Sequence, residues 1–260
     1  MLKGKCALVT GSIGGIGHAT ARALAQRGCN VMIHGLEDAA VVEEKRDAMA
    51  KEFGVKVASS RADLSNPAEI ENLVCETESQ LGPIEILVNN AVTRQHGPLD
   101  EMAVEKWDLA LAVNLSAPFH TIRLTLPGMK KRGWGRIINI ASNWGQTGTR
   151  NRADYVASKH GLVGLTRAVA LETLEYGITC NAIAPGATLT PNAERTLQAR
   201  MQASGKDREA TMQDFFKERQ PAGRFVMPED VAELIVFLCG HSAREMTGTP
   251  IAIDGGWYAM

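Results

Sequence analysis

The sequence predicts an α/β protein: a doubly wound sheet of seven parallel strands with helices on both faces. Short runs rich in β-forming residues alternate with longer helical patterns along the whole chain, which is typical of a parallel sheet. Most of the short runs are continuously apolar, as expected for strands that helices cover on both sides. No linker, repeat or low-complexity tract interrupts the 260 residues, so we expect a single domain over 1–260.

The elements follow one another in a regular order. The seven predicted strands span residues 6–10, 30–34, 55–61, 84–89, 136–141, 178–184 and 250–254. The predicted helices span residues 15–28, 38–53, 67–81, 100–131, 154–177 and 228–240.

Several helix boundaries have a physical signature. Asn66 is a capping residue directly before Pro67, and a proline is well suited to the first helical position. Pro228 has the same place before two acidic residues, which favour the positive end of a helix dipole. Gly28 can end the first helix because glycine adopts positive φ readily.

Residues 190–220 depart from the alternation, because they are polar and helical and follow the sixth strand. A segment at this point lies above the carboxyl ends of the strands, where ligands bind in open α/β sheets. We therefore expect residues 190–220 to form a helical substrate lid.

Charge and cysteine content narrow the function classes. Lys and Arg number 28 against 29 Asp and Glu, a balance that argues against a nucleic-acid binder or a membrane-surface protein. The five cysteines are widely spaced and odd in number, which disfavours a disulfide framework and fits a reducing cytoplasm. The first apolar run, residues 6–9, is too short for a signal-peptide core, and no run approaches a membrane span.

A glycine-rich turn follows the first predicted strand. Residues 10–17 read Thr-Gly-Ser-Ile-Gly-Gly-Ile-Gly and lead into a helix. Glycines allow a pyrophosphate to approach the backbone, and the helix N-terminus favours its negative charge. The spacing GxxxGxG differs from the general GxGxxG fingerprint, and a glycine-rich turn can also be a plain tight connection.

A second group of residues suggests acid–base chemistry. Tyr155 and Lys159 are four residues apart and therefore share one helix face. A phenol titrates near ~10, and a neighbouring ammonium would lower that pKa toward the neutral range. Ser142 follows the fifth predicted strand and could hold a substrate oxygen beside the phenol. A Tyr–Lys pair alone is weak, because such pairs also occur by chance on exposed helices.

Taken together, these motifs resemble the short-chain dehydrogenase/reductase family in order and spacing over essentially the whole chain. The residues that carry the resemblance are Thr10, Gly11, Gly15, Ile16, Gly17, Asn89, Asn90, Ala91, Asn114, Ser142, Tyr155, Lys159, Pro185 and Gly186. One departure is Val92, where the family usually has glycine.

The resemblance implies a seven-stranded Rossmann sheet and a catalytic tetrad of Asn114, Ser142, Tyr155 and Lys159. Tyr155 would be the acid–base group, Lys159 would lower its pKa and bind the nicotinamide ribose, and Ser142 would stabilise the substrate oxygen. Asn114 would hold a water that relays protons to Lys159.

The resemblance also implies a nicotinamide cofactor, for which we expect NAD. The expected cofactor-binding residues are Gly11, Ser12, Gly14, Gly15, Ile16, Gly17, Leu36, Asp63, Leu64, Asn90, Ala91, Tyr155, Lys159, Pro185, Gly186, Thr188 and Thr190. No basic residue lies in 35–44, whereas NADP sites usually offer Arg or Lys to the 2′-phosphate. Glu37, 20 residues after Gly17, is either a ribose-binding acid or a solvated residue at a helix start.

Within the family, the chain most resembles the bacterial D-3-hydroxybutyrate dehydrogenases, but with an altered substrate pocket. The expected substrate residues are Arg94, Ser142, Trp144, Arg152, Tyr155, Ala187 and Thr196. Arg94, Trp144, Arg152 and Thr196 stand where that group has Gln, His, Lys and Gln, and Ala187 replaces a bulky side chain. Arg152 keeps a positive charge, so we expect a small anionic or polar substrate, such as 3-hydroxybutyrate or a relative. The arginines could equally be solvated loop residues.

Other functions remain open at this point. A 3-oxoacyl thioester reductase would prefer NADPH, a sugar or polyol dehydrogenase would take a neutral substrate, and a non-catalytic nucleotide-binding protein would not need the tetrad. The histidines show no metal-ligand spacing, so we expect no metal. The family resemblance also implies a homotetramer.

Overall fold

The structure is a computed structural model that describes residues 2–217 and 220–260. Within them, seven parallel strands form one sheet in the order β3-β2-β1-β4-β5-β6-β7. The strands are β1 (Cys6–Val9), β2 (Asn30–His34), β3 (Val57–Ser60), β4 (Ile84–Asn89), β5 (Gly135–Ile140), β6 (Ile178–Pro185) and β7 (Pro250–Ile253). The predicted fold class is therefore confirmed.

Helices cover both faces of this sheet. They are α1 (Gly15–Gln26), α2 (Ala39–Phe53), α3 (Pro67–Leu81), α4 (Val104–Leu111), α5 (Ala117–Arg132), α6 (Ala153–Thr173), α7 (Pro191–Ser204), α8 (Arg208–Phe216) and α9 (Pro228–Cys239). Among the described residues, no helix is both long and apolar enough to pass through a membrane.

Alternate residues of each strand enter two separate hydrophobic cores, because side chains alternate across a sheet. Ala7 and Val9 of β1 belong to the core that α1, α2 and α9 cover. Cys6 and Leu8 belong to the opposite core, under α3, α5 and α6. Burial on both faces explains why the strands read as continuous apolar runs in the sequence.

The three predicted helix boundaries at Asn66, Gly28 and Pro228 are confirmed. The Asn66 side chain accepts a hydrogen bond from the backbone N–H of Ala68, with Pro67 at the start of α3. Gly28 has φ +84° just beyond the end of α1. Pro228 begins α9 with the acidic residues Glu229 and Asp230 in its first turn.

One predicted helix is wrong in an informative way. The expected helix over 100–131 is divided into α4 and α5 by a π-helical turn over Ala112–Ser116, and residues 99–101 form a separate 3₁₀ turn. A π turn adds a residue to the helical ring and re-aims the side chains within it. Asn114 lies inside this turn and is buried, so the irregularity places a predicted catalytic residue.

The segment predicted as a lid contains α7, α8 and the connection between them. Leu197 of α7 and Phe216 of α8 pack against Phe225 in a small core of their own. Residues 218 and 219 of this segment lie outside the described residues. The two helices follow β6 directly, at the carboxyl edge of the sheet.

Candidate active site

The glycine-rich turn is closely packed on one side and open on the other. Gly11 has φ +61°, and a Cβ added to it would lie 2.8 Å from the Cα atom of Ala91. A Cβ on Gly17 would collide with the carbonyl oxygen of Gly11 and the amide of Asn90. At Gly14, by contrast, no atom lies within 4 Å of an added Cβ.

This shape fits the pyrophosphate of a dinucleotide. Gly14 is the N-cap of α1 and has no side chain that could cap the helix. The positive end of the helix therefore faces the open side of the turn. Open space beside uncapped helical N–H groups is what an anion requires. The family's nicotinamide cofactor is therefore compatible with the turn that this chain builds.

The loop after β4 holds the turn from its inner side. The hydroxyl of Thr10 accepts hydrogen bonds from the backbone N–H groups of Asn90 (3.0 Å) and Ala91 (3.1 Å). The Asn90 amide donates to the carbonyl oxygens of Thr10 (3.0 Å) and Gly11 (2.8 Å). The predicted residues Asn90 and Ala91 thus fix the turn geometrically.

Two other predicted cofactor residues have mainly internal roles at the turn. The hydroxyl of Ser12 is buried, donates to the Val9 carbonyl and accepts from the His34 backbone N–H, so it joins β1 to β2. Ile16 is partly buried and packs against the core beneath α1.

The ends of β2 and β3 line the next part of the candidate cofactor site. Leu36 is 61% exposed, and the Glu37 carboxylate folds back over Gly35. Asp63 accepts hydrogen bonds from the backbone and hydroxyl of Ser65, which lower the pKa of its carboxyl group. Leu64 is buried in the core, so its side chain faces the interior.

The residues after β6 reach toward the same turn. Gly186 donates its N–H to the Ile253 carbonyl, and the Thr188 hydroxyl donates to the Gly186 carbonyl. Pro185 is the buried last residue of β6. Thr190 caps α7 by accepting a hydrogen bond from the Ala193 N–H, and its side chain lies 3.1 Å from where a Cβ of Gly15 would be. The start of α7 therefore lies against the glycine-rich turn.

Three members of the predicted tetrad come together between β5 and α6. Tyr155 and Lys159 are buried on the same face of α6, with the Lys159 Nζ atom 5.6 Å from the centre of the Tyr155 ring. Ser142 follows β5 and hydrogen-bonds to Tyr155. The Lys159 ammonium donates to the carbonyl oxygen of Ile140 at 2.7 Å.

Asn114 holds a loop in place. Its amide oxygen accepts from the backbone N–H of Thr93 at 2.9 Å, and its amide nitrogen donates to the Thr93 carbonyl at 2.8 Å. The same nitrogen donates to the hydroxyl of Ser158, the neighbour of Lys159 along α6. The predicted water relay through Asn114 stays a prediction.

Burial shifts the pKa values of the predicted catalytic residues Tyr155 and Lys159. It raises the pKa of Tyr155, and the hydrogen bond from Ser142 and the charges of Arg94 and Arg152 oppose this rise only in part. Burial, together with repulsion from Arg94, lowers the pKa of Lys159 to about 7. The sequence predicts a lowered Tyr155 pKa; the pKa is raised instead, because burial disfavours the phenolate.

Four of the predicted substrate residues surround Tyr155. The Trp144 ring meets the Tyr155 ring edge to face at 6.2 Å, and the Arg152 guanidinium lies 5.2 Å from the centre of the Trp144 ring. Arg94 and Arg152 are both close enough to influence the Tyr155 pKa. Ser142 completes the group, which combines positive charge with an aromatic wall.

Of the other two substrate candidates, Thr196 lies in the predicted lid segment and Ala187 lies just before it. Ala187 packs against the small core of Leu197, Phe216 and Phe225. The Thr196 hydroxyl donates to the Asn192 carbonyl within α7, and its side chain is exposed.

The sequence interpretation overlooked two residues that contact this site. The carboxylate of Asp154, which is fully buried, accepts a hydrogen bond from the backbone N–H of Gln95 at 3.0 Å and so holds the segment that carries Arg94. Trp257 lies edge to face with Trp144 at 5.9 Å. An acid directly before the predicted catalytic residue Tyr155 was a visible signal, whereas the Trp257 contact depends on the folded chain.

No group of three or more His, Cys, Asp or Glu side chains in the described part of the chain is arranged to hold a metal ion.

Comparison with known proteins agrees with this geometry. The family model described as "Enoyl-(Acyl carrier protein) reductase" matches residues 11–258. The D-beta-hydroxybutyrate dehydrogenase of Cupriavidus necator is 43% identical over 260 residues, covering 100% of both chains. The enzyme of the same name from Rhizobium meliloti is 41% identical over 256 residues, covering 98% of this chain and 99% of its own.

A solved structure supports the same assignment. The L-sorbose reductase of Gluconobacter frateurii, in complex with NADPH and L-sorbose, superposes with a TM-score of 0.94 and is 31% identical. The match covers 99% of this chain and 98% of that chain. Together the comparisons confirm the resemblance that the sequence motifs indicated.

Proposed function

The chain belongs to the short-chain dehydrogenase/reductase family, and from that premise we propose that it is an NAD-dependent dehydrogenase of a small hydroxy acid. The family and the full-length relatives make it an oxidoreductase that acts on a hydroxyl group with a nicotinamide cofactor. The observation that carries the proposal is the buried Tyr155, with Ser142 and Lys159 beside it and two arginines within electrostatic reach.

In the proposed mechanism, Tyr155 moves the proton of the reacting oxygen. In oxidation its phenolate takes the hydroxyl proton of the substrate, and in reduction its phenol returns a proton to the carbonyl oxygen. Ser142 donates a hydrogen bond to the same oxygen and fixes it beside the Tyr155 hydroxyl. The cofactor, when bound, supplies the hydride acceptor or donor.

Lys159 controls the charge around Tyr155. As an ammonium it favours the phenolate, and with a pKa of about 7 it can gain or lose a proton near neutrality. Asn114 holds Thr93 and Ser158, and we propose that it also keeps the proton route to Lys159 open. The remaining cofactor-binding residues named above would position the dinucleotide along the carboxyl edge of the sheet.

The end of β2 supports NAD as the cofactor. The Glu37 carboxylate folds over Gly35, beside the exposed Leu36, where the adenosine ribose would lie. A carboxylate can accept hydrogen bonds from a ribose diol but repels a 2′-phosphate. Since residues 35–44 contain no Lys or Arg, NADP would find no compensating charge in this stretch.

The arginines favour an anionic substrate. Arg152 lies over Trp144, which in turn contacts the Tyr155 ring, so its charge is held close to the reacting centre. A carboxylate bound there would gain a charge-assisted hydrogen bond. A 3-hydroxy acid has its carboxylate at a suitable distance from the hydroxyl group, which is why 3-hydroxybutyrate or a relative is our first choice.

The decisive experiment is a substrate screen. Purified protein would be assayed with D- and L-hydroxy acids, polyols and 3-oxoacyl thioesters, each with NAD and with NADP. Highest kcat/KM for a hydroxy acid with NAD supports the proposal. Highest kcat/KM for a 3-oxoacyl thioester with NADPH would instead favour a 3-oxoacyl thioester reductase, which is the second candidate.

We further propose that residues 1–260 act as a single domain in which residues 190–220 close over the substrate. The start of α7 lies against the glycine-rich turn through Thr190 and Gly15, so we expect cofactor binding to affect the position of the segment. The proposed assembly is a homotetramer in the cytoplasm. The free thiols of all five cysteines suit a reducing compartment.

A further inference from the structure

We infer that His34 is a positioning residue of the dinucleotide site: its neutral imidazole holds the glycine-rich turn and the end of β3 in the arrangement that binds the cofactor. The inference rests on the proposed function, since it concerns the same nicotinamide cofactor. It assigns a role to a side chain that the motifs do not mark.

The hydrogen bonds of His34 define a single tautomer. Its Nδ1 atom accepts the backbone N–H of Gly11 at 3.0 Å, so Nδ1 carries no proton. Its Nε2 atom lies 2.8 Å from the carbonyl oxygen of Ala62 and therefore carries the proton. The backbone of His34 also exchanges two hydrogen bonds with Ser12, so the residue is held on several sides.

Gly11 is the residue of the glycine-rich turn whose position His34 helps to fix. It adopts φ +61° and is pressed against Ala91, while Asn90 binds its carbonyl oxygen from the β4 side. His34 binds its N–H from the β2 side. One imidazole ring thus joins the expected pyrophosphate turn to Ala62, the residue before Asp63, which is one of the expected cofactor-binding residues.

Protonation would break this arrangement. A proton on Nδ1 would face the N–H of Gly11, and two donors cannot share a hydrogen bond. Burial lowers the pKa of His34, while the Ala62 carbonyl and the carboxylates of Glu37 and Asp63 oppose the shift. The other titratable group at the turn is His18 of α1, whose Nδ1 lies 3.2 Å from the Ser12 carbonyl oxygen.

Two substitutions distinguish the contribution of the hydrogen bond to Gly11 from that of the hydrogen bond to Ala62. In His34→Asn, the amide oxygen can take the place of Nδ1 and accept from Gly11, and the side chain no longer titrates. In His34→Gln, the amide nitrogen can take the place of Nε2 and donate to Ala62, but Gly11 loses its acceptor. His18→Gln removes the neighbouring titratable group and is the matched control.

The experiment measures the Kd of NAD by isothermal titration calorimetry at pH 7.5 and pH 5.0. At pH 7.5 we expect His34→Gln to weaken binding by about tenfold, the scale of one buried donor left without a partner, and His34→Asn to stay within about threefold of wild type. Wild type and His18→Gln should both bind NAD more weakly at pH 5.0 than at pH 7.5, whereas His34→Asn should change little.

The inference is overturned if His34→Asn keeps the pH dependence of the wild type, if His18→Gln abolishes it, or if His34→Gln binds NAD as tightly as wild type. A wild-type chain that binds neither NAD nor NADP overturns the proposed function together with this inference. If His34→Gln fails to fold, ¹⁵N NMR of the cofactor-free wild type decides the tautomer. A protonated Nδ1 at pH 7.5 contradicts the assignment.

Discussion

The Nζ atom of Lys159 lies 2.7 Å from the carbonyl oxygen of Ile140, the last residue of β5. The ammonium is thus buried beside a neutral partner, in contact with the strand end that leads to Ser142. A buried ammonium without a carboxylate partner is costly, which is the reason that its pKa falls to about 7. Lys159, a residue of the proposed active site, therefore lowers the stability of the folded protein, and substitutions can measure this cost.

Lys159→Met should remove this cost and abolish activity. Between pH 7 and 10.5 the unfolded wild type holds a proton on Lys159 that the folded protein has released, so wild-type stability rises with pH, whereas the variant lacks this contribution. From pH 7 to pH 10, we expect the free energy of unfolding to rise by roughly 2–4 kcal/mol more in wild type than in the variant. Urea unfolding of both cofactor-free proteins at the two pH values measures this gain, and parallel pH profiles would contradict it.

Tyr155→Phe should reduce kcat by at least roughly 100-fold, because it removes the proposed proton-transfer group and keeps the ring. The edge-to-face contact with Trp144 is retained, so the variant should fold and bind NAD as wild type does. Tyr176→Phe, the same substitution at a partly exposed tyrosine, is the control. Equal activity of the two variants would exclude Tyr155 as the acid–base group.

NAD should be preferred over NADP by more than tenfold in kcat/KM, or about 1.4 kcal/mol. Glu37→Arg should narrow or reverse that ratio, since it replaces the repelling carboxylate with a guanidinium that can bind the 2′-phosphate. Glu44→Arg makes the same charge change at an exposed position of α2 and should leave the ratio unaltered. Comparable turnover of wild type with both cofactors would refute the preference.

Arg152→Ala should impair anionic substrates selectively. Loss of a partly desolvated charge-assisted hydrogen bond should cost about 2–3 kcal/mol in kcat/KM for a hydroxy acid and little for its neutral amide. Arg150→Ala, at an exposed position two residues earlier, should affect neither. Equal losses on the charged and neutral substrates would mean that Arg152 supports Trp144 and its loop.

The homotetramer can be tested by light scattering. Val104 of α4, Phe119 of α5 and Leu171 of α6 are apolar and exposed in the single chain, and burial against other copies would remove them from water. We expect a mass near four times 28.0 kDa at micromolar concentration. A stable monomer in the same measurement would rule out the proposed assembly.

Much of the fold could be predicted from the sequence because strands that are buried on both faces of the sheet are continuous apolar runs. The π turn around Asn114 has no such pattern in the sequence, and the hydrogen bonds of the Asn114 side chain to Thr93, 21 residues earlier, exist only in the folded chain. The direction of the Tyr155 pKa was also out of reach, because it depends on how much water the folded chain excludes. His34 looked like an ordinary strand end until its contacts with Gly11 and Ala62 were known.

The sheet order has a consequence for the chain during its synthesis. Strand β1 pairs with β2 on one side and with β4 on the other. The β4 edge of β1 therefore stays unpaired until the residues around Ile84 have been synthesised. Until then the ribosome carries a nascent chain with an open, apolar strand edge, the kind of surface that promotes aggregation. Substitutions that weaken β4 should therefore lower the yield of soluble protein more than they lower the stability of the protein once folded.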